Sequence, residues 1–85
     1  MTQTAAEKRA EFDSRPDDAL VDRATVAAVR YVSENLIEKE AMKGGGVPYL
    51  RIGRRALYRK RDVLDWMERT GRKVENTAQL SQVSA

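Results

Sequence analysis

"PYLRIGRRALYRKRDVLDWMER", residues 48–69, is the stretch on which the fold turns. Six cations lie between Arg51 and Arg61 with no acid among them, and the segment then becomes acidic and apolar up to Trp66. In "YLRIGRRALY" apolar and cationic side chains alternate with period two around Gly53 and Arg54, the pattern of a β-hairpin. The alternation is expected to place Leu50 and Ile52 on one face, to meet Ala56 and Tyr58 from the return strand. Arg51, Arg55 and Arg59 would then point the other way. A helix should follow from Arg61 or Asp62, with Val63, Trp66 and Met67 as its inward stripe and Gly71 just past its end.

Upstream, "DRATVAAVRYVSENLIEKEAMKGGG" (residues 22–46) predicts two helices and a glycine stop. Asp22 can cap the first, whose apolar face is Val26, Ala27, Val29 and Tyr31. Ser33 followed by Glu34 supplies a second N-cap with an acid in the first turn, where the helix dipole favours it. The second helix would run from Glu34 to Lys43, with Ile37 and Ala41 inward and Asn35, Lys39 and Lys43 on another face. One continuous helix is the competing reading, because no glycine or proline marks a break near Ser33. Gly44 is expected at a left-handed C-cap.

The 85 residues carry a net charge of +3, distributed unevenly. Residues 1–48 hold seven cations and nine acids, whereas residues 49–73 hold nine cations and three acids. A basic block of this kind suits a polyanion. Cysteine and histidine are absent, so thiolate chemistry, a disulfide framework and the commonest general base and metal ligand are all excluded, and no cofactor is expected. No apolar run approaches the roughly 20 residues that span a bilayer, and the start "MTQTAAEKRAEF" has no signal-peptide apolar stretch, so a cytoplasmic protein is expected. Residues 1–18 and 71–85 are polar and are expected to be mobile tails around one folded domain, residues 19–70. The expected fold is mainly α with a small β-hairpin, in the order helix, turn, helix, hairpin, helix: a helix-turn-helix followed by a wing.

On this reading the candidate nucleic-acid contacts are Ser33, Asn35, Glu38, Lys39 and Lys43 on the second helix, and Arg51, Arg54, Arg55, Arg59 and Lys60 on the wing. Asn35 is suited to adenine, Lys39 to guanine, and Glu38 can accept from cytosine N4. The wing cations suit phosphates or a narrow minor groove. The helix carries Glu34, Glu38 and Glu40 against Lys39 and Lys43, so its own charge is −1: either these side chains read base edges, or the acids keep the helix from deep contact and leave affinity to the wing. Trp66, Tyr49 and Tyr58 read as core rather than base-stacking platforms, from their apolar neighbours at strand and helix spacing.

The residues Pro48-Tyr49, Arg51-Ile52-Gly53-Arg54-Arg55, Tyr58-Arg59, Asp62-Val63 and Trp66 resemble the wing and third helix of the small MerR-like winged-helix excisionases of mobile elements, and Val32-Ser33 with Ile37 resembles their turn and the start of their recognition helix. These are also called recombination directionality factors. The resemblance covers about residues 20–69, and Tyr31 stands where relatives usually carry the glycine of the turn. It implies an architectural role in a bacterial cytoplasm, associated with the nucleoid. Several copies would bind double-stranded DNA at repeats beside an attachment site and associate head-to-tail. The bend they impose would help a tyrosine-recombinase integrase excise a mobile element, such as an integrative and conjugative element. A small winged-helix transcriptional regulator is the alternative on the same fold. A minimal recombinase using Tyr31, Tyr49 or Tyr58 as nucleophile is a third reading, weakened by the missing histidine.

Overall fold

The computed structural model describes residues 3–71. Four helices, α1 (Ala5–Ser14), α2 (Arg23–Arg30), α3 (Glu34–Lys43) and α4 (Lys60–Thr70), surround one small sheet. Its strands are β1 (Leu20–Asp22), β2 (Leu50–Ile52) and β3 (Arg55–Arg59), antiparallel in the order β1-β3-β2. The arrangement is compatible with a helix-turn-helix plus a wing.

α1 lies in the stretch expected to be a mobile tail, where "AAEKRAEF" is the one helical hint. Thr4 and Glu7 form a reciprocal capping box: the Thr4 hydroxyl accepts from the Glu7 N–H at 3.1 Å, and the Glu7 carboxylate from the Thr4 N–H at 3.1 Å. The helix ends at Ser14 because Pro16 drives Arg15 into extended backbone. Its single aromatic, Phe12, is 1 % exposed and joins Val26, Ala27, Ile37, Val47, Tyr58 and Val63 in the core. The domain therefore begins before residue 19. Of the expected C-terminal tail, residues 72–85 lie outside the described residues.

The break between α2 and α3 is present, and it rules out a continuous helix. Asp22 caps α2 by accepting from the Thr25 N–H at 2.9 Å, and Ser33 caps α3 by accepting from the Leu36 N–H at 3.2 Å. Between them Tyr31 adopts the left-handed conformation, φ 58° and ψ 40°. Val32 N–H donates to Ala27 C=O and Tyr31 N–H to Ala28 C=O, so the last carbonyls of α2 are satisfied as in a Schellman ending. A tyrosine thus occupies a conformation that glycine adopts at lower cost. At the far end of α3, Gly44 has φ 87° but ψ 165°, so it stops the helix in an extended, positive-φ geometry rather than at the expected left-handed cap.

The hairpin forms through the two-residue turn Gly53–Arg54, with Gly53 at φ 63°. Its faces differ from the expectation. Leu50 pairs with Leu57, Arg51 with Ala56, and Ile52 with Arg55. Paired residues share a face, so Arg51 sits with Ala56 and Tyr58, whereas Leu50 and Ile52 sit outward with Arg55, Leu57 and Arg59. A two-residue turn fixes this parity, because it sets even positions of β2 against odd positions of β3. β1 pairs on the other side of β3, Leu20 against Arg59, Val21 against Tyr58 and Asp22 against Leu57.

α4 starts at Lys60, one residue before the expected range, and Arg59 gives it no side-chain cap. Backbone replaces the cap: Lys60 N–H donates to Ala19 C=O at 2.9 Å and Arg61 N–H to Asp17 C=O at 2.8 Å. Inward, α4 presents buried Val63 and half-buried Trp66 and Met67. No helix among the described residues is long and apolar enough to cross a membrane.

Candidate nucleic-acid interface

Two elements carry the candidate contacts, and each is held by a different device. α3 is fixed through Arg30, whose guanidinium donates to both Glu40 oxygens at 2.7 and 3.0 Å and lies 4.0 Å over the Trp66 ring. The indole N–H of Trp66 in turn donates to Gly45 C=O at 3.1 Å. One arginine thus couples α2, α3 and α4, and its hydrogen bonds hold the Glu40 carboxyl below its ordinary value. This leaves the opposite side of α3 in solvent. Asn35 and Glu38 are exposed there, Lys39 and Lys43 are exposed nearer Glu40, and Ser33 is exposed although its hydroxyl is engaged as the cap.

Among the described residues nothing covers the tip of the β2–β3 hairpin. Every residue from Leu50 to Arg55 is exposed. Arg54 stands at the turn, Arg55 and Arg59 on the outward face, and Arg51 on the face shared with Ala56. None of these four arginines makes an ion pair among the described residues, where the salt bridges are Arg15–Glu11 and Arg30–Glu40. The Arg55 charge does reach Asp22. Burial works to raise that carboxyl, but hydrogen bonds from the Thr25 hydroxyl and N–H, with the charges of Lys8 and Arg55, hold it below its ordinary value.

Lys60 departs from the expectation. It is 8 % exposed, and its ammonium donates to Asp13 C=O at 3.1 Å and Arg15 C=O at 2.9 Å, 5.2 Å over the Phe12 ring. α1 has no basic residue in its last turn, so Lys60 supplies the cation that its C-terminal carbonyls favour. It cannot serve as a phosphate contact, because the fold has already used it. Lys60→Met, similar in length, should strand those carbonyls and cost about 1–3 kcal/mol in a urea melt. A loss below about 0.5 kcal/mol would show that they find other partners.

The tyrosines divide as their environments dictate. Tyr58 is buried, accepts from Arg23 Nε at 3.1 Å and stacks on Tyr49 with ring centroids 5.4 Å apart. Tyr31 is 77 % exposed, at the start of the turn into α3. Arg9 of α1 lies 4.3 Å over its ring and donates to Ala28 C=O at 3.1 Å, so α1 braces that turn. Sequence reasoning missed Arg9 because it missed α1, although the Thr4–Glu7 capping box announces that helix. Comparison of the chain with protein-family models, curated proteins and solved structures finds no match.

Proposed function

We propose that this protein binds and bends double-stranded DNA, with α2–α3 as a helix-turn-helix and β2–β3 as its wing. The observation that carries the reading is the set of four exposed arginines, Arg51, Arg54, Arg55 and Arg59, on one short hairpin with no carboxylate partner among the described residues. A solvated surface normally intersperses both signs of charge. Unpaired guanidinium groups on an exposed hairpin suit phosphates and the negative potential of a narrow minor groove. The braced α3, with Asn35 and Lys39 in solvent, supplies side chains of the kind that read base edges.

Within this reading the role is that of an excisionase. Its support is the resemblance of residues 20–69 and the small size of the binding surface, too little for one copy to bind tightly and selectively. Neighbouring copies would occupy adjacent sites head-to-tail. Asp65 and Glu68 of α4, exposed beside Leu64, offer an acidic surface for the basic wing of the next copy. The bent assembly would favour excision by a tyrosine-recombinase integrase, which performs the covalent chemistry. The setting would be the bacterial cytoplasm and nucleoid.

The test begins by selecting the tightest duplex from a randomised pool with the full chain. Asn35→Ala and Lys39→Ala should each reduce its preference over a scrambled duplex by about 1–3 kcal/mol, the worth of a bidentate base contact. If both variants keep the full preference, sequence is not read by α3. If the pool yields no preferred duplex, the protein is not a site-selective binder.

A further inference from the structure

The outward face of the wing carries apolar side chains that the core does not use. Ile52 is 52 % exposed, Leu50 is 44 % exposed, and Leu57 beside Leu50 is half-buried. Ile52 is the last residue of β2 before the turn, directly opposite Arg55 and next but one to Arg54. Ile52 takes no part in the core, forms a contiguous exposed apolar patch with Leu50 and Leu57, and lies beside Arg54 and Arg55, which have no ion-pair partner among the described residues. This arrangement suits the device by which minor-groove proteins bend DNA. An apolar side chain enters a base step from the minor groove and partly unstacks it, while flanking cations hold the phosphates on either side.

We propose that Ile52 is such a wedge: the wing tip enters the minor groove, Ile52 presses into a base step, and Arg54 and Arg55 grip the adjoining backbone. The proposal rests on the DNA-binding reading above and adds to it the residue that makes the bend. Charge favours DNA as the occupant of this face, since Arg55 and Arg59 share it and Arg54 stands at its tip, with no acid between residues 49 and 61. The turn geometry suits entry, because Gly53 at φ 63° folds the chain back within two residues and leaves a narrow tip. The kinked step should be a flexible pyrimidine–purine step, TA or CA, where unstacking costs least.

The probe is the tightest duplex from the randomised pool, labelled at both ends for energy transfer, with 2-aminopurine placed in turn at each TA or CA step. Wild-type protein should shorten the end-to-end distance and brighten 2-aminopurine at one step as it unstacks. Ile52→Ala should lose at least half of the bend and the local brightening, while Ile52→Leu should restore both. Because Ile52 lies outside the core, its alanine variant should melt as the wild-type protein does, which separates loss of the wedge from loss of the fold. If Ile52→Ala bends and unstacks the duplex as the wild-type protein does, the wedge is wrong and the DNA-binding reading stands. If the wild-type protein binds no duplex, both fall together.

Discussion

Phe12→Ala is expected to cost about 3–5 kcal/mol, the range for emptying an aromatic site in a packed core. The described fold spans residues 3–71. At about 0.05–0.15 kcal/mol per residue, so small a domain has roughly 3–10 kcal/mol of stability in all. The variant should therefore melt tens of degrees lower or be unfolded at 25 °C. The size of the effect follows from where Phe12 sits. Its ring is 1 % exposed, belongs to the same buried cluster as Val26, Ala27, Ile37 and Val63, and carries the Lys60 ammonium on one side. A urea melt of the full chain checks it. A cost under about 0.5 kcal/mol, as for a surface substitution, would return residues 5–14 to the status of a tail.

The second large effect concerns the wing. If Arg54 and Arg55 each neutralise one phosphate, each accounts for about 0.9 of the slope of log affinity against log salt. Their joint removal should then lower affinity at 0.1 M salt by about sixty-fold, which is the counterion-release contribution of two contacts relative to 1 M salt. The loss should be similar for selected and scrambled duplexes, because phosphates carry no sequence. In this it differs from the loss expected at Asn35 and Lys39.

Local signals in the chain carried much of this architecture. Asp22 and Ser33 cap the helices that they were expected to cap, the Tyr31–Val32 break is where a capping serine implies it, and Gly53–Arg54 makes the turn. Each depends on residues within four positions of one another. The features that escaped depend on distant partners. α1 has a capping box but no apolar stripe, so its place in the fold rests on one phenylalanine and on Lys60, 47 residues from the Asp13 carbonyl that it satisfies. β1 is three residues long and exists through its pairing with β3. Neither periodicity nor propensity can register an element of that length.

Two features of the proposed interface differ from what the sequence leads one to expect. A cation count cannot say which cation is buried, so it groups Lys60 with the wing. Period two hints otherwise, because Lys60 follows Ala56 and Tyr58 on the same parity, facing the core. The same parity, applied across the two-residue turn, sets Leu50 and Ile52 outward with the arginines rather than inward with Tyr58. The correction alters the chemistry of the wing. Its exposed face is mixed apolar and cationic, and that mixture is what makes Ile52 a candidate for bending DNA as well as holding it.

The most direct measurement is a titration of duplex DNA with the wild-type chain and with the Arg54→Ala/Arg55→Ala variant at several salt concentrations between 0.05 and 0.3 M, scales over which phosphate contacts dominate affinity. Wild-type affinity should fall steeply with salt, and the variant should bind more weakly with a slope shallower by about 1.8, two contacts at about 0.9 each. Equal affinity and equal slope for the two proteins would place the DNA, if any is bound, somewhere other than on this wing.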